Sequence, residues 1–260
     1  MTLCKKQIEA GIGDLASKLS ITVYKTIDST NTQAKLAAED PECKSGIFVA
    51  CEQTAGRGRL GRSFTSNSGK GLYLSILIKE ELPAEFATAL TTYMAVVATR
   101  AISRLSSLDT KIKWVNDIYV GGKKLAGILT EGKAKGEGTL AYAVVGIGIN
   151  LLKQEFPDDV KAIATTVEDE CGKVIDVNEL TALIVKEFFE NLNLVGTHGL
   201  AEEYRSRSFL VGKRVNVIKP TVTYEALVKD ITDKCELVLE LPDGTGEILS
   251  TGEVSVREMK

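Results

Sequence analysis

Residues 54–71 read TAGRGRLGRSFTSNSGKG and separate two strongly apolar stretches of the chain. Arginines and glycines alternate at 56–62. Glycine lets a backbone approach a ligand closely and expose its N–H groups, while guanidinium groups form charge-assisted, often bidentate bonds to phosphate. The apolar stretches at 46–53 and 72–79 predict buried strands on either side. We therefore interpret residues 54–71 as a long loop between two strands that binds a nucleotide phosphate or an acyl phosphate.

The same segment is compatible with two other interpretations. Gly56, Gly58 and Gly61 satisfy the dinucleotide-binding pattern GxGxxG, but that pattern acts by placing pyrophosphate at the N-terminus of the helix that it opens. Residues 64–69 predict a loop that leads into a strand, without a surrounding βαβ unit, so dinucleotide binding is disfavoured. A solvated basic loop is the other alternative. That interpretation would be favoured if the arginines had lysine-rich, glycine-poor surroundings.

The chain around this loop mixes helical and strand patterns without regular βαβ alternation. Apolar spacing, capping residues and prolines predict helices at about 4–19, 29–40, 83–105, 177–195 and 199–205. Apolar or alternating stretches predict strands at 21–27, 46–53, 72–79, 111–114, 117–120, 123–131 and 140–151. From about Gly212 onward, short strands and turn residues predominate. The prediction is an α+β fold with a mixed β-sheet flanked by helices in residues 1–208, followed by a small β-barrel in residues 209–260.

Composition and charge argue against several classes of protein. The 32 basic and 35 acidic residues give a net charge of −3, which provides no overall attraction to nucleic acid. Residues 1–20 are too few for a three-helix DNA-binding module, so no nucleic-acid partner is expected. The apolar runs stay well short of the roughly 20 residues of a membrane-spanning helix, and residues 1–20 lack the features of a targeting peptide. We therefore expect no membrane partner and a cytoplasmic location.

Residues that often form metal or nucleophilic centres are sparse. The five cysteines are scattered and never spaced as CxxC, which is typical of a reducing compartment and argues against a structural zinc site. His198 is the only histidine, so a histidine-based catalytic triad or metal cluster is not expected.

Polar residues interrupt the apolar pattern again in KWVNDIYV (113–120). Asn116 and Asp117 lie between two short predicted strands, where they either cap a turn or reach a ligand. The Gly-Gly pair at 121–122 predicts the tight turn of a hairpin whose second strand begins KKLAGIL (123–129). A lysine at the start of that apolar strand is placed to present a single positive charge to a carboxylate or phosphate in a pocket.

The four motifs GRGRLGR, KWVNDIYV, KKLAGIL and GIGIN (146–150), in this order and spacing, resemble the biotin protein ligase family. The close match extends over roughly Tyr24 to Leu151. The resemblance implies a class II synthetase-like biotin/lipoate ligase catalytic domain followed by an SH3-like β-barrel. It also implies an enzyme that activates biotin with ATP to biotinyl-5'-AMP and transfers biotin to a specific lysine of a biotin carboxyl carrier protein or domain of biotin-dependent carboxylases. ATP and biotin are then the substrates, and Mg²⁺ is the expected metal.

The resemblance further assigns roles to individual residues. The implied biotin-binding residues are Ser29, Thr30, Asn31, Gln53, Arg57, Gly58, Arg59 and Lys124. The implied ATP- or adenylate-binding residues are Arg57, Arg59, Arg62, Phe64, Lys113, Asn116, Asp117 and Asn150. Lys124 and Arg59 are the implied catalytic residues, and Asp117 is the implied magnesium ligand. Phe64 replaces an aromatic residue, commonly Trp, that packs on the nucleotide in the family, and this change keeps a stacking face but loses the indole donor.

Two alternatives stand beside biotin ligation. A lipoate or octanoyl ligase has a similar fold and also forms an acyl-AMP. A non-catalytic biotin sensor would keep the pocket, although Lys124, Arg57 and Arg59 favour an enzyme. Exposed strand edges in the predicted central sheet are compatible with a homodimer.

Overall fold

The structure is a computed structural model that describes residues 1–61, 69–219, 221–250 and 253–256. Its helices are α1 (Lys5–Ile12), α2 (Thr30–Ala38), α3 (Phe86–Ser106), α4 (Asp158–Lys161), α5 (Val167–Cys171), α6 (Val177–Glu190) and α7 (His198–Arg207). The first strands are β1 (Ser20–Tyr24), β2 (Gly46–Ala50), β3 (Gly71–Ile78), β4 (Leu82–Pro83), β5 (Lys111–Lys113), β6 (Asp117–Val120), β7 (Lys123–Gly136) and β8 (Thr139–Asn150). The remaining strands are β9 (Arg214–Ile218), β10 (Thr223–Ile231), β11 (Leu237–Glu240), β12 (Gly246–Leu249) and β13 (Glu253–Val256). Among the described residues, none of the helices combines the length and hydropathy that a membrane span requires.

Strands β1 to β8 form one eight-stranded sheet in the order β1-β2-β3-β8-β7-β6-β5, with the short β4 paired to β8. Strands β1 and β2 are parallel, whereas the other neighbours in this sheet are antiparallel. The predicted α+β fold with a mixed sheet is therefore confirmed. The antiparallel pairing of β2 with β3 also argues against the dinucleotide-binding interpretation, which requires parallel strands joined through a helix.

The two faces of this sheet are covered differently. One face packs on α1, α3 and α6 and forms the main apolar core, which contains Leu72 and Leu74 of β3. The opposite face packs on α2, where Leu77 and Val144 belong to a smaller apolar cluster. Because the side chains of a strand alternate between faces, Ser75 lies on the α2 side together with Leu77. A pocket lies on this second face, beside the start of α2.

Several element boundaries differ from the sequence prediction for tertiary reasons. Helix α3 begins at Phe86, because Pro83 lies in β4 and pairs with the start of β8 instead of opening the helix. Strand β7 continues to Gly136, beyond its predicted end, because it stays paired with β8 where its own residues are exposed and carry no apolar pattern. Helix α6 ends at Glu190, before a short 3₁₀ turn.

Strands β9 to β13 form a separate antiparallel sheet in the order β12-β11-β10-β9-β13. This confirms the prediction that the short C-terminal strands form a small β structure of their own. The indole Nε1 of Trp114 donates to the carbonyl of Cys235 at 2.8 Å, and Nε of Arg205 donates to the carbonyl of Ile231 at 2.7 Å. Apolar residues of both sheets belong to one continuous core. The C-terminal sheet is thus fastened to the main body beside the KWVND motif.

Arg100 of α3 joins three helices through ion pairs. Its Nη1 donates to Glu187 of α6 at 2.6 Å, and its Nε donates to Glu203 of α7 at 2.8 Å. Burial alone would raise the pKa of Glu203, but the hydrogen bonds from Arg100 and Arg207 outweigh it and lower that pKa below its ordinary value. The cluster lies among the helices on the side of the sheet away from α2, so we interpret it as a stabilising contact.

We expect Arg100→Met to lower the free energy of unfolding by about 1–3 kcal/mol, because Glu187 loses its bond to Arg100 and Glu203 keeps only Arg207. A carboxyl whose folded pKa is lowered stabilises the fold above its unfolded pKa and loses that contribution as pH falls through its folded pKa. The difference in unfolding free energy between wild type and variant should therefore shrink as the pH falls below the ordinary glutamate pKa of about 4.3. Denaturant unfolding over a pH series measures both effects.

Lys186→Met is the matched control for Arg100→Met. Lys186 makes an exposed ion pair with Glu190 at 3.9 Å on the same group of helices. Exposed pairs of this kind contribute at most about 1 kcal/mol. Equal losses of unfolding free energy in the two variants would contradict the role of the Arg100 cluster.

Candidate active site

A pocket opens on the α2 face of the main sheet. The residues that the sequence resemblance assigns to biotin all line it: Ser29, Thr30, Asn31, Gln53, Arg57, Gly58, Arg59 and Lys124. The rest of the lining consists of Asn116, Gly127, Ile128, Leu129, Gly146, Ile147 and Gly148. The separate sequence motifs thus converge on one cavity.

Glycines form the floor of the pocket where β7 and β8 lie side by side. Gly127 of β7 pairs with Gly148 of β8, and Gly146 pairs with Ser75 of β3. Since residues two apart in a strand share a face, Gly146 and Gly148 point to the same side. A Cβ atom on Gly146 would lie 2.0 Å from Oδ1 of Asn31. The missing side chain at Gly146 therefore makes the space that the Asn31 amide occupies.

The N-terminus of α2 supplies a polar wall. The hydroxyl of Ser29 accepts a hydrogen bond from the N–H of Thr32 at 3.4 Å and caps the helix. The N–H of Thr30 donates to Oε1 of Gln53 at 2.8 Å, and Oγ1 of Thr30 lies 3.1 Å from the same oxygen. Ser29 thus caps α2 and lines the pocket at the same time, and Gln53 is held against the start of the helix.

A buried serine orders the two residues that follow Ser29. The side chain of Ser75 is fully buried, and its Oγ lies 2.7 Å from Oγ1 of Thr30 and 2.6 Å from Oδ1 of Asn31. A hydroxyl has one proton and an amide oxygen can only accept, so Ser75 donates to Asn31. The Thr30 hydroxyl is then the donor either to Ser75 or to Gln53. One buried hydroxyl therefore determines the arrangement of the polar wall.

The amide nitrogen of Asn31 is bonded on the other side of the residue. It donates to the carbonyl of Leu129 at 3.2 Å and to Oε2 of Glu131 at 2.9 Å. Glu131 also accepts from Nζ of Lys35 at 2.6 Å, and Nη1 of Arg57 lies 3.7 Å from Oε1. Burial alone would raise the pKa of Glu131, but the bonds from Lys35 and Asn31 outweigh it and hold this pKa below its ordinary value. Glu131 is therefore ionised at neutral pH.

Lys124 reaches the pocket because of a β-bulge. Asp117 pairs with Gly127 and Tyr119 pairs with Lys124, with a register shift between them. The extra residue, Leu125, places Lys124 on the same face as Gly127, although a separation of three residues would place them on opposite faces of a regular strand. In this position Nζ of Lys124 lies 2.8 Å from Oδ1 of Asp117. The bulge thus aims the lysine predicted to be catalytic into the cavity.

Arg59 and Asn116 connect the glycine loop to the KWVND motif. Arg59 lies in a single 3₁₀ turn, and its Nη1 donates to Oδ1 of Asn116 at 3.0 Å. The amide nitrogen of Asn116 donates to the carbonyl of Ile128 at 2.9 Å and to Oδ1 of Asp117 at 3.2 Å. Since Asp117 also pairs with Lys124, these side chains form one connected polar group.

The predicted ATP-binding residues are distributed differently from the biotin-binding ones. Three of them line the pocket: Arg57, Arg59 and Asn116. Asp117 is joined to the pocket through Asn116 and Lys124. Two others lie outside the described residues: Arg62 and Phe64.

Lys113 and Asn150 do not line the pocket. Nζ of Lys113 lies 5.5 Å from the ring centre of Tyr119. Asn150 is buried, and its amide nitrogen donates to the carbonyl of Thr165 at 3.1 Å. This bond ties the end of β8 to the segment that precedes α5. The nucleotide contacts of both residues stay predictions.

Ser75, Glu131 and Gly146 shape the pocket and carry a signal in the sequence, although they were not among the predicted site residues. Ser75 is a small polar residue inside the otherwise apolar strand β3. Glu131 follows the apolar part of β7 and is two residues after Leu129, which lines the pocket, so both belong to the same face of the strand. Gly146 alternates with isoleucine in GIGI, a pattern that indicates one strand face without side chains. The signals indicate a face of a strand but not what lies against it.

The charges of the site favour an anionic ligand group. Three cations line the cavity: Arg57, Arg59 and Lys124. The neighbouring carboxylates, Glu131 and Asp117, each pair with a lysine. In the described parts of the chain, His, Cys, Asp and Glu side chains form no group of three or more that would hold a metal ion. Asp117 offers one carboxylate, which fits a magnesium ion whose other ligands are substrate phosphates and water.

Comparison with protein families gives matches in both parts of the chain. Residues 23–150 match the biotin/lipoate A/B protein ligase family. Residues 210–257 match the biotin protein ligase C terminal domain. The two matches follow the division between the mixed sheet and the C-terminal antiparallel sheet.

Individual relatives are similar over most of their length. The chain is 31% identical to the bifunctional ligase/repressor BirA of Bacillus subtilis, over 95% of this chain and 78% of that protein. It is 31% identical to the biotin–[acetyl-CoA-carboxylase] ligase of Paracoccus denitrificans, over 87% of this chain and 96% of that protein. The biotin protein ligase from Aquifex aeolicus, solved in complex with biotin and ATP, superposes with a TM-score of 0.77 at 28% identity, over 92% of this chain and 99% of that one. Since sequence, domain order and fold agree, the chain belongs to the biotin protein ligase family.

Proposed function

We propose that the protein is a biotin–[biotin carboxyl-carrier protein] ligase, which makes biotinyl-5'-AMP from biotin and ATP and then transfers biotin to a lysine of the carrier. The observation that carries this proposal is the convergence of Lys124, Arg57 and Arg59 with the polar start of α2 in one pocket. A ureido ring both donates and accepts hydrogen bonds, which suits the α2 wall. The carboxylate of biotin and the phosphate of ATP are both anionic, so together they suit the three cations of the pocket. Membership of the family supports the same activity.

The proposed reaction consists of two successive substitutions. In the first, an oxygen of the biotin carboxylate attacks the α-phosphorus of ATP, and pyrophosphate leaves. In the second, the ε-amine of the carrier lysine attacks the carbonyl carbon of the mixed anhydride and loses a proton, and AMP leaves. Neither step requires a covalent bond to the enzyme. Lys124 and Arg59 are proposed to neutralise negative charge on the reacting carboxylate and phosphate, and Arg57 to hold the adenylate.

Magnesium is proposed to enter with ATP. The residues present fit an ion that Asp117 and the substrate phosphates hold together. When bound, Mg²⁺ would neutralise phosphate charge. Asp117 pairs with Lys124 across 2.8 Å, so the same carboxylate also keeps the lysine aimed at the pocket.

The polar wall favours biotin over lipoate. Ser29, Thr30 and Gln53 present hydroxyl and amide groups to the pocket. The ureido ring of biotin offers two N–H donors and a carbonyl acceptor to such groups, whereas the dithiolane ring of lipoate offers neither. A site built for hydrogen bonds rejects a ligand that leaves its polar groups unpaired, by as much as about 10⁴-fold.

We also propose that residues 1–208 form the catalytic domain and that residues 209–260 form a domain that helps to position the nucleotide or the carrier. The change from the mixed sheet to a separate antiparallel sheet supports this division. The carrier is proposed to be a biotin carboxyl carrier protein or domain of biotin-dependent carboxylases. A homodimer, a cytoplasmic location and the absence of nucleic-acid and membrane partners stay predictions from the sequence.

A transfer assay tests the proposed function. The mixture contains the purified protein, Mg-ATP, biotin and a biotin carboxyl carrier domain, and lipoate replaces biotin in a parallel reaction. We expect biotin on the carrier and no transfer of lipoate. Transfer of lipoate instead would favour the lipoate ligase alternative, and tight biotin binding without transfer would favour the sensor. A protein that does not bind biotin would contradict the proposal as a whole.

A further inference from the structure

Glu131 lies beside the pocket but has no part in the reaction described above. Its side chain is 21% exposed at the end of the apolar part of β7. Lys35 and Asn31 donate to its two oxygens, and Arg57 approaches it from the glycine loop. Asn31 and Arg57 line the pocket, whereas Lys35 lies one helical turn further along α2. Glu131 is therefore placed to affect the ligand through its neighbours.

A carboxylate in this position determines the orientation of the Asn31 amide. An ionised carboxylate can only accept hydrogen bonds, so it bonds the amide nitrogen of Asn31 and not the oxygen. The carbonyl of Leu129 accepts from the same nitrogen. Both N–H groups of the amide are thereby used, and Oδ1 is turned toward Ser75 and the space above Gly146.

The orientation of this amide decides what Asn31 offers to a ligand. Its oxygen accepts one hydrogen bond from Ser75 and has a second acceptor site. Since its N–H groups are bonded to Leu129 and Glu131, the residue presents an acceptor to the pocket and not a donor. A flipped amide would instead bring its N–H groups against the floor at Gly146 and its oxygen against the Glu131 carboxylate.

We propose that Glu131 is a positioning residue that fixes Asn31 as a hydrogen-bond acceptor for an N–H group of the ligand's ureido ring. This inference rests on the proposed function, because only a biotin-like ligand supplies that donor. Glu131 acts through Asn31 and does not touch the reacting carboxylate or phosphate. Its loss should therefore weaken biotin binding and leave the chemical steps at saturating biotin nearly unchanged.

Glu131→Gln in the full-length protein is the first test. The variant keeps the size of the side chain, but the new amide donates as well as accepts and stabilises either orientation of Asn31. We expect the Kd for biotin, measured by calorimetry, and the KM for biotin to rise about tenfold, which corresponds to about 1.4 kcal/mol. The kcat of adenylation should stay within about twofold, since Arg57 meets Glu131 only at 3.7 Å and Lys124 and Arg59 keep their partners, Asp117 and Asn116.

Two variants serve as controls for Glu131→Gln. Glu39→Gln removes a carboxylate from a more exposed ion pair, with Lys133, at the far end of α2, and should leave the Kd for biotin unchanged. Glu131→Gln in an Asn31→Ala background should add little to the effect of Asn31→Ala, because residues that act as one unit are not additive. Denaturant unfolding of each variant verifies that it is folded.

The outcomes separate this inference from the proposed function. A wild type that binds and transfers biotin, with an unchanged Kd in Glu131→Gln, overturns the role of Glu131 alone. Additive effects in the Asn31→Ala background, or a fall in kcat with an unchanged KM, overturn it as well. A wild type that does not bind biotin overturns the proposed function, and the role of Glu131 with it. A raised Kd that depends on Asn31 supports the positioning role.

Discussion

Replacing Lys124 with alanine should lower kcat/KM for biotin adenylation by about 10²–10³-fold, which is the usual cost of removing one preorganised group that stabilises charge in a transition state. The ammonium group is held in the pocket by the β-bulge and by Asp117, which lies 2.8 Å away. Negative charge shifts on the α-phosphate as the biotin carboxylate attacks. A cation that is already in place stabilises this charge without reorganisation, so its removal affects kcat more than biotin binding.

Pyrophosphate release and carrier labelling measure the effect of Lys124→Ala on the two steps. The fold should be retained, because the backbone of Lys124 bonds to Ile163 at 2.7 Å independently of the side chain. Lys123→Ala is the matched control, since Lys123 is an exposed lysine at the adjacent turn. Recovery of activity in a double variant, Lys124→Ala with Asp117→Asn, would trace the loss to an unpaired Asp117, but we expect no recovery because Asp117 is also the proposed magnesium ligand. Activity within tenfold of wild type in Lys124→Ala, or an equal loss in Lys123→Ala, would contradict the catalytic role.

Gly146→Ala should weaken biotin binding by about 10–100-fold, equivalent to about 1.4–2.8 kcal/mol. The new methyl group would lie 2.0 Å from Oδ1 of Asn31, so the amide must leave its position. Ser75 donates to that oxygen, and its bond would be lost too. Overpacking a buried site also typically costs about 1–3 kcal/mol of stability. The same change therefore fills the floor of the pocket and disorders its polar wall.

Calorimetry with biotin and denaturant unfolding measure the two effects of Gly146→Ala. Gly199→Ala is the control, because a Cβ atom at Gly199 in α7 would meet nothing within 4 Å. Asn31→Ala in the Gly146→Ala background removes the clash, so it should bring the unfolding free energy back toward that of Asn31→Ala but should not recover binding. Wild-type affinity in Gly146→Ala would show that the Asn31 amide is not needed in the pocket wall.

The predicted biotin-binding residues were taken from the family resemblance, and several of the motifs that contain them also carry a local signal. Arginine and glycine alternate in GRGRLGR, polar residues interrupt strands in KWVND, and Ser29 begins a helix that it must cap. Such patterns indicate where polar residues interrupt the apolar core, and the order of the motifs identifies the family. Continuous apolar stretches and shorter alternating ones likewise predicted the strands of the mixed sheet, because buried strand faces are apolar.

Other features depend on contacts between residues far apart in the chain. The GIGI pattern indicates a bare strand face, but only the pairing of β8 with β3, and the packing of α2 across it, places Asn31 over Gly146. The same contacts bring Glu131 to Asn31, from 100 positions away in the sequence.

By itself, then, the sequence determined the family, through the order and spacing of its motifs, and the mixed-sheet architecture, through apolar periodicity. The predicted biotin-binding residues came from the resemblance to that family and not from local composition. The tertiary structure alone decided which face Lys124 occupies, how the Asn31 amide is oriented, and that Lys113 and Asn150 lie outside the pocket lining. The physical reason is that strand register and helix packing determine which side chains meet. A single bulged residue reverses the face of a side chain without leaving a distinct pattern in the sequence.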